Sequence, residues 1–272
     1  MKKINILSLC LLLFVGFSCK DFKDGSKAGR EDAKKEIEET ESMKKESVTL
    51  TKLEDSPAYA DAELVLKSQK SMTINDTTKV DFDFQVANYE LGAQTVSPNA
   101  EKLANSGKGQ HIHFILNNEP YSAHYEASFT KEIPDGVHHL VAFLSRSYHE
   151  SVKNENSVVV RKLTIGSNQE NTQDFDIDAP TLIYSRPKGT YSGKDTENLM
   201  LDFFVLNTTL SEDGNKVRAT INGQEFIITE WAPHVMKGLP KGKVDIVLEL
   251  IDSDGNHIEG PFNKVTRSVT LK

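Results

Sequence analysis

Val80-Asp-Phe-Asp-Phe-Gln-Val-Ala-Asn-Tyr-Glu-Leu91 returns 119 residues later as Leu199-Met-Leu-Asp-Phe-Phe-Val-Leu-Asn-Thr-Thr-Leu210. Two further blocks recur with it. Ile133-Pro-Asp-Gly-Val-His-His-Leu-Val-Ala-Phe-Leu144 matches Leu239-Pro-Lys-Gly-Lys-Val-Asp-Ile-Val-Leu-Glu-Leu250, and Arg161-Lys-Leu-Thr-Ile165 matches Arg267-Ser-Val-Thr-Leu271. Along Val80–Val86 the apolar residues alternate at a period of two, as a strand with one buried face requires. Glu63-Leu-Val-Leu-Lys, His111-Ile-His-Phe-Ile-Leu and Val158-Val-Val-Arg-Lys-Leu-Thr-Ile add strands of the same kind, and no helical stripe follows residue 50. A unit of this length exceeds a solenoid repeat and suits an immunoglobulin-like sandwich. The sequence therefore predicts an all-β protein with two tandem immunoglobulin-like β-sandwich domains, at 53–168 and 176–272, joined by the polar stretch 166–174. The later blocks are offset by 106 residues, which leaves 13 extra residues in the first copy, assigned to the loop Gly92–Gln110.

Ahead of the repeats the pattern changes. MKKINILSLCLLLFVGFSC pairs a basic start with about a dozen apolar residues, too short for a permanent span of roughly 20. Gly16-Phe17-Ser18 provides small residues before Cys19, so residues 1–18 are expected to be a signal peptide and Cys19 the lipidated first residue of the mature chain. This ending resembles a loose lipobox, of the kind found in Bacteroidota-type bacterial lipoproteins. Residues from about 55 onward resemble two-domain lipoproteins of the same group, a resemblance that carries no activity. By likeness to lipoprotein sorting, Lys20 in place of Asp implies an outer membrane lipoprotein facing the periplasm or the cell surface. Residues 19–52 hold few apolar side chains and read as a charged tether. With Cys10 removed, Cys19 is the one remaining cysteine, so no intramolecular disulfide is expected.

With 32 basic and 40 acidic residues the chain carries a net charge of −8. That balance argues against a nucleic-acid partner, which needs a basic face. The sequence contains no nucleophile elbow, phosphate-cradling glycine loop or His-Glu-x-x-His motif, so it is read as non-enzymatic.

Histidine is the residue type that stands out. Six of the eight lie between 111 and 149. Period two puts His111 and His113 on one strand face, about 6–7 Å apart, a workable pair of metal ligands. His138 and His139, or His149 beyond the same strand, are candidates for a third nitrogen. At an offset of 106 the second copy has Val217 and Ala219 in place of His111 and His113, so the sandwich itself does not demand imidazoles there. The competing reading is histidines that are solvated on an amphipathic surface strand or simply packed. An imidazole-rich site without thiolate favours copper or zinc.

Arg146, Tyr148 and Glu150 crowd one loop. There Ser145-Arg-Ser-Tyr-His149 is similar to the Ser-Arg-Xaa-His of forkhead-associated phosphopeptide binders, with one residue too many and no Gly-Arg signature nearby. Arg186, before Pro187, is a candidate for an acidic ligand. Trp231 is either a sugar-stacking platform or a core or interface plug. The expected function is a lipid-anchored cell-envelope binding module, held to the membrane through Cys19, with an unknown protein, glycan or metal ligand. The alternatives are copper or zinc binding by the histidines, and phosphopeptide or carbohydrate binding by sandwich loops.

Overall fold

The computed structural model describes residues 47–272, apart from 75, 76, 168, 169 and 172. The signal peptide, Cys19 and the tether up to residue 46 lie outside the described residues. No helix among those described is long and apolar enough to cross a membrane.

The chain opens with β1 (Thr49–Lys52). It continues through β2 (Glu63–Ile74), β3 (Thr77–Ala87), a single helical turn α1 (Asn99–Lys102), β4 (His111–Leu116), β5 (Ser122–His124), β6 (Ser128–Glu132), β7 (Gly136–Ser145) and β8 (Val158–Ile165). There follow β9 (Thr181–Arg186), β10 (Gly189–Tyr191), β11 (Leu199–Leu206), β12 (Lys216–Ile221), β13 (Gln224–Ile228), β14 (His234–Lys237), β15 (Gly242–Ile251) and β16 (Lys264–Leu271).

The first sandwich sets β2-β3-β6 against β5-β4-β7-β8, and the second sets β9-β11-β14 against β13-β12-β15-β16. The two orders are identical position by position, so the sequence repeat is a repeat of topology. Each sandwich closes over its own core. Phe82, Phe84, Phe114, Leu140 and Leu144 fill the first. Leu201, Phe203, Val217, Leu248 and Leu250 fill the second. The fold is all-β and immunoglobulin-like, as the alternation requires.

The second sandwich carries two strands with no counterpart in the first. β10 runs parallel to β16. β1 pairs antiparallel with β14, with Leu50 opposite Met236. This corrects the tether boundary: residues 49–52 are a sheet strand, and Val48 before them is buried in the second core. Thr49-Leu-Thr-Lys52 is short, but the edge of β14 offers unpaired backbone groups that it satisfies.

The sandwiches meet face to face. Ile115, Tyr121, Val141 and Phe143 of the first pack on Ile183, Phe204 and Leu206 of the second. The Phe143 and Phe204 rings stack with centroids 4.6 Å apart. Burying an aromatic side chain of this size contributes roughly 1.5–3 kcal/mol. Strands β4, β7, β9 and β11 are consequently buried on both faces. His111 and His113 are therefore packed and not solvated, because the face they share with Ile115 is covered by the other sandwich.

Sheet register also corrects the twin positions. Ile112 pairs with Leu144, and Val217 pairs with Leu250, the repeat partner of Leu144. Ile112 thus corresponds to Val217, and the counterparts of His111 and His113 are Lys216 and Arg218. An error of one residue along a strand exchanges its two faces, which is what the offset of 106 did here.

Candidate metal centre

Three imidazoles converge where β4 meets the loop after β7. Nε2 of His111 lies 2.9 Å from Nε2 of His113 and 3.1 Å from Nδ1 of His149. One nitrogen from each ring falls within 4.8 Å of the others. Zinc–nitrogen bonds of about 2.0–2.1 Å in tetrahedral geometry would space the ligand nitrogens roughly 3.3–3.4 Å apart. The observed spacing is within a few tenths of an ångström of that for the two close pairs.

Two of the rings are held from behind. His111 donates its Nδ1 hydrogen to the carbonyl of Gly109 at 2.8 Å, which leaves Nε2 with a lone pair. Gly109 sits at φ +84°, and a Cβ there would lie 2.3 Å from the carbonyl oxygen of Gly92. Only glycine allows this loop to place that carbonyl. Nδ1 of His113 faces Ser185 Oγ of β9 at 3.3 Å, so the second sandwich supplies part of the support. Such outer contacts fix tautomer and ring orientation in metal sites.

His149 comes from a tight loop, at φ 71°, its amide donating to the carbonyl of Arg146. The loop's interior is a buried ion pair. Arg146 Nη1 lies 3.1 Å from Glu150 Oε1, and both side chains are almost wholly enclosed. Arg146 also donates to the carbonyls of Ser151 and Pro57. Ser56 Oγ donates to Glu150 Oε2 and accepts from the Tyr148 hydroxyl. Arg146, Tyr148 and Glu150 therefore do not present a ligand-binding surface as the sequence suggested. They are committed to internal partners, and they build the loop that aims His149.

Burial drives the electrostatics of the triad. It pushes His111 down to about 4, with the Gly109 hydrogen bond opposing and the charges of Arg186 and Lys188 adding to the shift. Burial, then its two histidine neighbours, holds His113 well below the ordinary range, and burial with Arg186 does the same for His149. At neutral pH the cluster is three uncharged imidazoles. His111 Nε2 carries no hydrogen, yet it faces two ring nitrogens at hydrogen-bond distance. One lone pair cannot accept well from both, and a cation between the three would satisfy all of them at once.

The other histidines of the sequence reading lie elsewhere. β4 and β7 are antiparallel, with His111 opposite Ser145, so His138 and His139 fall at the far end of β7. Four or more residues of strand put them roughly 13 Å or more from the triad. His138 contacts the Asn117 side chain and the Pro134 carbonyl. His139 packs against the rings of Phe175 and Phe262.

Tyr121, on the segment after β4, belongs to the site and was not singled out from sequence. Its ring stacks on His113 with centroids 3.6 Å apart, and its hydroxyl lies 3.3 Å from His149 Nδ1. Burial pushes this phenol up to about 12, with Arg186 opposing. Lys188 lies 4.0 Å from the centroid of the same ring, and the Arg186 guanidinium 5.8 Å. Arg186 is buried and donates to the Tyr191 hydroxyl. Trp231 lies at the junction of the sandwiches, its ring edge-on to Phe204 and its Nε1 donating to the Phe203 carbonyl. It takes the interface role of the two offered for it.

No family model and no curated protein matches the chain. Among solved structures it is similar to the fibronectin(III)-like modules of Clostridium thermocellum CbhA, at 13% identity and TM-score 0.27, over 34% of this chain and 97% of that one. It is also similar to the central fibronectin-III array of RIM-binding protein, at 10% identity and TM-score 0.23, over 80% and 69% of the two chains. A third likeness is to the extracellular domain of the putative hybrid two-component system BT3049 from B. thetaiotaomicron, at 12% identity and TM-score 0.27, over 82% and 32%.

Proposed function

We propose that this chain is a non-enzymatic, lipid-anchored cell-envelope binding module whose ligand is a single copper or zinc ion. His111, His113 and His149 hold the ion in the first sandwich. The observation that carries this reading is the convergence of three uncharged imidazoles, two buried and one half-buried, with no carboxylate or thiolate in the group. Uncharged imidazole is the commonest metal ligand, and a set of three without sulfur suits copper or zinc. Envelope placement rests on the sequence before the repeats, with Cys19 as the acylated anchor. Two acyl chains there give stable membrane attachment, where one gives only marginal binding.

Elemental analysis of the purified protein, after incubation with copper or zinc and removal of excess, is expected to return one equivalent. His111→Ala combined with His113→Ala is expected to return none while the fold survives by circular dichroism. A protein that binds neither metal and whose thermal unfolding ignores both is not a metal-binding protein.

A further inference from the structure

We propose that Tyr121 is the fourth ligand of this centre, bound through Oη as a phenolate, making a three-histidine, one-tyrosine site for a divalent cation. The inference rests on the reading of the triad as a metal centre and adds to it a charged ligand. Copper(II) is the strongest binder of the first-row series and the natural probe.

Position is the first argument. Oη lies 3.3 Å from His149 Nδ1, which itself lies 3.1 Å from His111 Nε2. Ligand atoms on a common tetrahedral ion, with bonds of about 2.0–2.2 Å, stand roughly 3.3–3.5 Å apart. The ring is also fixed. His113 stacks on it at 3.6 Å with an interplanar angle of 14°, and the Lys188 ammonium lies over it at 4.0 Å. Lys188 in turn donates to the Tyr121 carbonyl at 2.5 Å.

Charge is the second argument. The triad contributes no negative charge, and two cations, Arg186 and Lys188, flank the site. Among the described residues Arg186 makes no ion pair with a carboxylate, and it is buried against tyrosines. A dication added to that setting needs an anion beside it, since an uncompensated buried charge is costly. The phenolate supplies one charge, and the two cations stabilise it as they would any nearby anion.

Binding is then an exchange without redox. The O–H bond of Tyr121 breaks, the Oη–metal bond forms, and the proton leaves to solvent. His113 keeps its hydrogen on Nδ1, toward Ser185 Oγ, and His149 keeps its own on Nε2, which frees all three facing nitrogens.

The test titrates copper(II) sulfate into the wild-type protein and into Tyr121→Phe, which keeps the stacked ring and removes only the oxygen. The wild type is expected to bind one ion and to show a visible phenolate-to-copper(II) charge-transfer band. Tyr121→Phe is expected to bind one ion about tenfold or more weakly, without the band. One ion bound with equal affinity and identical spectra in both overturns the assignment of Tyr121 and leaves the triad standing. No binding by the wild type overturns both. Should Tyr121→Phe fail to fold, resonance Raman of the wild-type copper form decides: phenolate ring modes support the assignment, and their absence overturns it.

Discussion

The two sandwiches share one strand order, yet they treat the same strand face in opposite ways. In the second sandwich the outward face of β12 carries Lys216, Arg218 and Thr220, half-open to solvent. Arg218 pairs there with Glu225 at 3.3 Å and Glu249 at 2.9 Å. In the first, the equivalent face of β4 carries His111, His113 and Ile115, fully buried beneath β9 and β11. A lysine and an arginine suit a face that meets water. Under another domain they would have to shed hydration or find buried partners, at several kcal/mol per charge. Imidazole tolerates that setting because it sheds its proton instead. Burial by the partner sandwich therefore suits imidazoles to this face and leaves them neutral.

The comparison breaks most sharply at its cause, the contact between the sandwiches. Phe143→Ala removes a fully buried ring stacked on Phe204. It is expected to cost about 3–5 kcal/mol in urea unfolding and to weaken metal binding by exposing the triad. Full stability with intact metal binding would show that the second sandwich is not what defines the site.

Acid gives the next largest effect. His111 titrates near 6.5 when unfolded and near 4 when folded, so the unfolded chain takes up protons first as pH falls. Its contribution is complete above about 6.5 and is lost progressively between there and about 4, up to about 3 kcal/mol at the low end. His113 and His149 shift in the same direction and steepen the loss. Urea unfolding measured across this range should show that slope, and His111→Asn should flatten it. A stability curve level through the window would mean that the imidazoles are not buried neutral.

Transplanting the histidines gives the smallest effect. Lys216→His with Arg218→His re-creates the His-x-His pair in the second sandwich, on an open face with nothing in place of His149 or Tyr121. The open Arg218–Glu225 pair it breaks contributes at most about 1 kcal/mol, and buried Glu249 keeps Lys264 as its partner. No second equivalent of copper or zinc should bind, and uptake of one would show that the pair alone makes the site.

Much of this was legible beforehand. Alternation along β2, β3, β4 and β8 reveals strands, and the repetition of three blocks reveals two copies of one fold. His-x-His on β4 was likewise visible. Which third histidine joins the pair was not. His138 and His139 are as prominent in the sequence as His149, and only the antiparallel register of β4 and β7 separates them. The true counterparts of His111 and His113 were hidden by a single residue of loop length between β4 and β7, which no periodicity records. Tyr121, Gly109 and Ser185 come from a turn, a loop end and the other sandwich. Their meeting is a tertiary fact with no local pattern behind it. β1 escaped notice because four residues with one leucine resemble a linker until an open sheet edge claims them.

That small strand has a mechanical consequence. β1 and β16, at the two ends of the described chain, both belong to the second sandwich, so the first sandwich is spliced between β1 and the remainder of its neighbour. Tension applied between Thr49 and Leu271 runs through the second sandwich and bypasses the first. The four register pairs of β1 with β14 act as a fuse, and until they part, a pull on the amino-terminal side leaves the histidines unloaded.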